Sequence, residues 1–159
     1  MSRRQESVWD YPRPPRVERS RRHLRVVLGE IVIADTTDSR RVLETSHPPV
    51  HYVPLADVLP GTLERSDARG SICEFKGAAV YYDVSAPGGP RVARGAWAYP
   101  KPAKGYELLL DTIAFYPAAM DECTLDGERI RAQDGDFYGG WITEEILGPF
   151  KGAPGTHGW

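Results

Sequence analysis

The chain has 159 residues, which suits a single domain whose hydrophobic core needs no metal or disulfide. Its 41% hydrophobic and 26% charged residues are ordinary for a globular protein, and its 16 Gly and 14 Pro residues favour turns over long helices. The net charge of −2 excludes a whole-molecule field that would attract nucleic acid or an anionic membrane, so neither is predicted as a partner. No apolar run approaches the roughly 18 residues of a membrane span, and no signal sequence is evident, so we expect a soluble cytoplasmic protein of bacterial type.

Residues 1–22 are predicted to form an extended arm ahead of a single β domain of residues 23–159. The arm holds seven arginines against three acidic residues, a balance of +4, and shows no apolar periodicity. We expect Trp9 and Tyr11 to dock on the domain because large aromatic side chains are rarely left free in solvent. The arginines leave open a contact with an anionic partner.

The next segments predict short strands joined by turns. Residues 24–28 and 31–34 flank Gly29 and Glu30, and a two-residue loop with Gly first is typical of a type II′ hairpin. Residues 123–130 predict a second hairpin with an Asp-Gly turn. Further strands are predicted at residues 41–44, 62–65, 71–76, 78–84 and 92–99.

Helical signals are few, and the closing residues are rich in glycine and aromatic residues. Residues 106–115 fit a helix or a helix followed by a strand, and residues 53–59 and 143–146 each allow one helical turn. The predicted fold class is therefore mainly β: a compact single domain of antiparallel hairpins, with one or two short helices and an irregular C-terminal wrap.

Cys73 and Cys123 lie far apart in the sequence, and neither belongs to a C-x-x-C pair. This pattern favours two reduced core thiols over a zinc site or a redox motif. We predict no metal and no cofactor.

The segment from Leu43 to Pro54 concentrates polar side chains between prolines, which we expect to exclude a regular element. Glu44, Thr45, His47 and Tyr52 are its candidate ligand-binding residues, since an extended, stiff polar segment usually presents its groups to a ligand. Glu44 follows an apolar strand, so its carboxylate is either partly desolvated and suited to proton transfer, or an ordinary exposed group.

Histidine chemistry in this segment is limited by the two prolines between His47 and His51. A four-residue spacing places two histidines on one helical face, but prolines exclude that helix, so no metal site is predicted. His47 and Glu44 are the candidate catalytic residues, each as a general base. Thr45 and Ser46 make a weak nucleophile hypothesis because neighbouring side chains on an extended chain point apart.

Lys76, Trp97 and Tyr99 complete the candidate binding residues. An ammonium at a strand end pairs readily with a carboxylate or a phosphate of a ligand. Trp97, Tyr99, Phe75 and Tyr82 either line an aromatic wall or pack in the core, and we expect two of the four in each place.

Several motifs together resemble a family known only as domain of unknown function 427. They are Glu6 to Pro15, Glu44 to Pro49 with Tyr52 and Pro54, Cys73 to Gly77 with Tyr81 and Tyr82, Ala96 to Pro100, Ile113 to Pro117, and Phe137 to Trp141. The resemblance implies a compact domain of the β-tent kind, similar to yippee proteins, the drug-binding domain of cereblon and methionine sulfoxide reductase B. Several proteins of that fold hold zinc on two cysteine pairs, and this chain lacks those ligands.

Three functions from different classes remain open. The first is a small-molecule-binding β domain with a polar and aromatic pocket, the second is an enzyme acting on a small polar metabolite, and the third is a protein-interaction module. The first two require the segment at Glu44 and the strand at Trp97 to face each other across one cavity.

Overall fold

The computed structural model describes residues 4–67, 70–73, 75–135 and 138–159. Glu74 and Phe137 of the quoted motifs, and the first three residues of the arm, lie outside these ranges. The strands are β1 (Glu6–Ser7), β2 (Arg16–Ser20), β3 (Leu24–Leu28), β4 (Ile31–Thr36), β5 (Ser39–Leu43), β6 (Val50–Pro54), β7 (Leu63–Arg65), β8 (Ser71–Cys73), β9 (Gly77–Ser85), β10 (Arg91–Ala98), β11 (Thr112–Phe115), β12 (Glu122–Leu125), β13 (Glu128–Arg129), β14 (Arg131–Ala132), β15 (Trp141–Ile142) and β16 (Ile146–Leu147).

The predicted mainly β fold is confirmed. The helices in the described ranges are single 3-10 turns, namely Val8–Asp10, Leu55–Asp57, Glu107–Leu109 and Pro117–Ala119. The ambiguous residues 106–115 form one such turn followed by β11. None of these helices has the length and apolar character needed to cross a membrane.

Two antiparallel sheets organise the chain. The larger has eight strands in the order β2-β5-β6-β11-β10-β9-β7, with β8 also paired to β9. The smaller has the order β13-β12-β3-β4. Two further pairs are β14 with β15, and β1 with β16, of which the latter is parallel.

The larger sheet buries apolar side chains on both of its faces. Ala96 and Ala98 pack in a core with residues of β3, β4 and β12, whereas Trp97 and Tyr99 belong to a second, aromatic cluster. Successive side chains of a strand point to opposite faces, so the alternation in β10 separates the two cores. The aromatic face therefore points away from the smaller sheet.

Both predicted hairpins are present, but the turn type predicted for the first is wrong. Leu28 pairs with Ile31, and Gly29 and Glu30 have φ of 60° and 66°. Positive φ at both central residues defines a type I′ turn, whose twist matches that of the flanking strands. A Cβ at Gly29 would lie 2.7 Å from Cδ of Pro90, which gives this glycine a packing reason as well.

The expectation that prolines exclude a regular element from residues 43–54 is wrong for its second half. Val50–Pro54 forms β6, which pairs with β5 on one side and β11 on the other. Pro54 lies beyond Tyr52, the last residue of β6 that pairs with β5, so that pairing needs no N–H from residue 54. Only residues 44–49 form an irregular loop.

The division into an arm of residues 1–22 and a domain of residues 23–159 stays a prediction. In the structure, Arg16–Ser20 pairs with β5 along its whole length, and Val8 is fully buried. Nε1 of Trp9 donates a hydrogen bond to the carbonyl oxygen of Pro149 at 2.9 Å. The described part of the N-terminal segment therefore packs against the C-terminal segment.

Candidate functional site

A cavity of about 340 Å³ lies on the aromatic face of the larger sheet. Strands and loops from distant parts of the chain contribute its lining: Val42, Glu44, His47, Pro48, Val50, Tyr52, Cys73, Lys76, Ala79, Tyr81, Trp97, Tyr99, Tyr116, Gln133, Tyr138, Gly139 and Lys151. The lining thus combines aromatic side chains with a few charged and amide groups, a composition typical of small-molecule sites.

Six of the seven predicted binding residues lie on this one cavity, namely Glu44, His47, Tyr52, Lys76, Trp97 and Tyr99. Thr45 lies outside the lining, and its Oγ1 donates a hydrogen bond to the carbonyl oxygen of Tyr11 at 2.6 Å. Phe75 and Tyr82 pack against the two cores instead of lining the cavity. The segment at Glu44 and the strand at Trp97 share this cavity.

Strands β6 and β10, which lie on either side of β11 in the larger sheet, fix the aromatic wall. Nε1 of Trp97 donates a hydrogen bond to Oη of Tyr52 at 3.2 Å, and the two rings meet edge to face with centroids 6.0 Å apart. The ring of Tyr116 lies 4.4 Å from that of Trp97. Burial raises the pKa of Tyr52 and Tyr99 well above the usual value, so both phenols stay protonated at neutral pH.

His47 is held in one tautomer by Gln133. Oε1 of Gln133 accepts from the backbone N–H of Gly140 at 3.1 Å, and its Nε2 donates to the carbonyl oxygen of Lys151 at 2.7 Å. These two backbone partners fix the orientation of the amide, so the Nε2 atom 3.2 Å from Nδ1 of His47 must donate to it. Neutral His47 therefore carries its proton on Nε2.

The protonation state of His47 agrees with this arrangement. Burial, supported by the nearby charge of Lys151, lowers the pKa of His47 to about 4, against an opposing effect of Glu44. The imidazole is therefore neutral at pH 7 and keeps one N–H donor on Nε2.

Glu44 follows the last residue of β5 and lies at the rim of the cavity, with 23% of its side chain exposed. Its Oε2 lies 3.8 Å from Nε of Arg13, which is itself 44% exposed. A rim ion pair of this length contributes little to stability, so the carboxylate is available to accept hydrogen bonds from a ligand.

Two lysines, Lys76 and Lys151, contribute ammonium groups to the lining of the cavity. Lys76 is only 8% exposed, and its Nζ lies 5.9 Å from the ring centroid of Tyr99. Nζ of Lys151 lies 5.9 Å from the ring centroid of Tyr138 and donates to a main-chain oxygen of Trp159 at 3.2 Å. The cavity therefore has ammonium groups beside aromatic rings.

Comparison with known proteins gives a family but no function. Residues 16–126 match the model of a domain of unknown function, DUF427. This chain belongs to the DUF427 family. No curated protein matches the chain.

The match covers Glu44, Lys76 and the aromatic wall of this DUF427 protein, while Gln133, Tyr138 and Lys151 lie beyond the matched residues. Sequence reasoning missed Gln133 and Lys151 as cavity residues. Neither lies in a pattern that indicates a site, because the tail signals only an irregular wrap.

Two glycines let the C-terminal segment of the DUF427 protein close over the cavity. A Cβ at Gly139 would lie 2.2 Å from Cη2 of Trp97, and one at Gly140 would lie 2.5 Å from Oε1 of Gln133. Any larger residue would push this segment off the aromatic wall.

A second cavity of the DUF427 protein, about 380 Å³, is lined largely by charged residues that already form ion pairs. Arg41 contacts Glu6 at 2.8 Å and Glu18 at 2.6 Å, and Arg22 contacts Glu145. His51 also lies here, and burial lowers its pKa to about 3. Within the described ranges, no three His, Cys, Asp or Glu side chains cluster closely enough to hold a metal ion.

Proposed function

We propose that this DUF427 domain binds a small molecule in the cavity bounded by Glu44, Lys76 and Trp97. The observation that carries the proposal is that polar and aromatic residues from six separate segments of the chain line one cavity of about 340 Å³. This volume is at the lower end of the range for small-molecule sites, about 300 to 1,000 Å³, so the ligand is small.

The chemistry of the wall supports a ligand with both a flat apolar part and polar groups. Trp97, Tyr99 and Tyr116 offer ring faces and edges for packing. Glu44 accepts hydrogen bonds, whereas the phenols and the Nε2–H of His47 donate them. A site with donors and acceptors of fixed position selects its ligand by hydrogen-bond pattern as well as by shape.

The enzyme predicted as the alternative uses the same cavity with different roles for its two candidate residues. Since Nδ1 of His47 accepts from Gln133 and Nε2 carries the proton, neutral His47 would act as a hydrogen-bond donor. Glu44 is then the stronger candidate for a general base. Turnover of a small polar metabolite that falls by about a hundredfold or more in Glu44→Gln would favour this alternative.

A cavity-filling substitution tests the binding function. Ala79 lies on β9 with 4% exposure and lines the cavity, while its neighbour Ala78 is exposed. We expect Ala79→Leu to fill the cavity and Ala78→Leu to leave it open, because adjacent residues of a strand point to opposite faces.

The measurement is a thermal-shift screen of a metabolite collection on the wild-type chain and both variants. Compounds that raise the melting temperature of the wild type and of Ala78→Leu should leave Ala79→Leu unchanged. Equal shifts in all three proteins would place the ligand elsewhere, and the absence of any shift in the wild type would favour the protein-interaction module.

A small-molecule ligand and a cytoplasmic location are the partner and the compartment that we propose from the sequence. The low net charge of −2 supports a small ligand over nucleic acid.

A further inference from the structure

The two lysines of the cavity have no acidic side chain as a partner. Within residues 4–67, 70–73, 75–135 and 138–159, neither Lys76 nor Lys151 forms an ion pair with an Asp or Glu side chain. Lys76 is 8% exposed, although lysine is rarely buried unless it is paired. Lys151 already donates to a main-chain oxygen of Trp159 at 3.2 Å, whereas the ammonium of Lys76 lies beside an aromatic ring without such a partner among the described residues and is suited to receive an anion from a ligand.

The remaining groups of the lining favour an anion as well. Among the described residues of the lining, Glu44 contributes the one carboxylate, and the partly exposed guanidinium of Arg13 lies 3.8 Å from it. His47, held by Gln133, keeps its Nε2–H as a donor. Two ammonium groups and a fixed neutral donor therefore face one rim carboxylate.

The aromatic wall indicates that the uncharged part of the ligand is a flat ring. Tyr52, Trp97 and Tyr116 present a continuous group of rings, with centroid separations of 6.0 Å and 4.4 Å along it. Rings at these separations leave faces and edges that pack well against another flat ring. A cavity of about 340 Å³ accommodates one or two fused rings with a small polar substituent.

Resting on the binding function proposed above, we propose that the ligand is a small planar aromatic acid whose carboxylate or phosphoryl group pairs with Lys76 and Lys151 while its ring packs on Trp97. The common chemistry is an aromatic ring bearing an anion. Glu44 would accept a hydrogen bond from a hydroxyl or amino substituent of the ring.

Three probes that share one bicyclic ring system test this class: 2-naphthoate, 2-naphthyl phosphate and the neutral 2-naphthamide. Isothermal titration calorimetry at pH 7.5 and low salt detects dissociation constants up to about 1 mM, the range expected for ligands of this size. We expect the better anion to bind at least about tenfold more tightly than the amide, because charge-assisted hydrogen bonds are the stronger ones. The ratio between the two anions distinguishes a carboxylate site from a phosphoryl site.

Lysine variants show which groups produce the preference. Lys76→Met and Lys151→Met keep an unbranched stem of similar size, and each should reduce the preference for the anion by about fivefold or more. Lys104→Met is the matched control, since Lys104 is exposed and lies outside the lining, and it should bind like the wild type. Increasing the salt concentration should weaken the binding of the two anionic probes and leave the binding of the amide unchanged.

The outcomes separate this inference from the proposed function. Equal affinity for amide and anions, with loss of all binding in Ala79→Leu, would overturn the aromatic acid and retain the binding site. An unchanged preference in both lysine variants would also overturn it. Anion binding that survives in Ala79→Leu would place the probes elsewhere and contradict both proposals, and no binding of any probe would exclude this ligand class.

Discussion

Acid should destabilise this DUF427 protein because a buried histidine, His51, and a half-buried one, His47, are both neutral in the folded state. His51 is 3% exposed, its Nδ1 lies 3.3 Å from Oγ of Ser39, and its ring centroid lies 5.3 Å from that of Trp141. Burial, together with the nearby guanidinium groups of Arg41 and Arg22, lowers its pKa to about 3. Protonation of the folded protein at this position would place a charge in the core beside two cations.

The direction and the size of this acid destabilisation follow from the linkage between proton binding and folding. An unfolded histidine has a pKa of about 6.5, so the unfolded chain binds a proton as the pH falls through that value, while folded His51 does not until about pH 3. The contribution of neutral His51 to the free energy of unfolding is therefore fully present above about pH 6.5 and is lost as the pH falls towards the folded pKa of about 3. Between pH 7.5 and 5.0 the loss is about 2 kcal/mol for His51, and about 2 kcal/mol more for His47 with its pKa of about 4.

Urea denaturation at the two pH values measures this loss. In His51→Asn, where the side chain cannot titrate, the fall in the free energy of unfolding should be smaller than in the wild type by about 2 kcal/mol. His157→Asn is the control, because His157 is exposed, and it should behave as the wild type. A pH dependence in His51→Asn equal to that of the wild type would refute the burial of a neutral imidazole at this position.

Two further predictions concern packing and thiol reactivity. Gly139→Ala should lower the free energy of unfolding by about 1 to 3 kcal/mol, because the added Cβ would lie 2.2 Å from Trp97. Gly158→Ala is the control: no atom lies within contact distance of its Cβ, so it should change the free energy of unfolding by less than about 0.5 kcal/mol. Urea denaturation measures both variants, and equal stability of the two would contradict the close approach of Gly139 to Trp97. Cys123 is 4% exposed and burial raises its pKa to about 12, so Ellman's reagent should modify the half-buried Cys73 first in the native protein. Cys73→Ser should remove the fast phase, and comparable rates at both thiols would be inconsistent with this burial.

Local sequence patterns predicted both hairpins and several of the strands, but not β2 or β6. Gly29 with Glu30, and Asp126 with Gly127, are two-residue turn sequences, and both turns join paired strands in the structure. The type of the first turn was not predictable from the presence of Gly alone, because Glu30 adopts a positive φ that is uncommon for its residue type. The turn type matches the twist of the two paired strands, although Glu rarely adopts a positive φ.

The cavity was predictable only in part. Glu44 and His47 were predicted because polar residues between prolines are a local signal, and Trp97 and Tyr99 because they are large aromatic residues on a predicted strand. Gln133 has no such signal, although it fixes the tautomer of His47 from a position 86 residues away. A contact between distant residues leaves no trace in the composition around either one.

The sequence by itself determined the class of fold, since alternating apolar residues and frequent Gly and Pro allow strands and turns and little else. Only the tertiary structure decided that Trp97 and Tyr52 meet, through the pairing of Trp97 with Ala114 and of Ile113 with Val53. The physical reason is register: strand side chains alternate between faces, so a slip of one residue would turn Trp97 into the opposite core and leave the cavity without its wall. Long-range pairing sets that register, and local sequence does not.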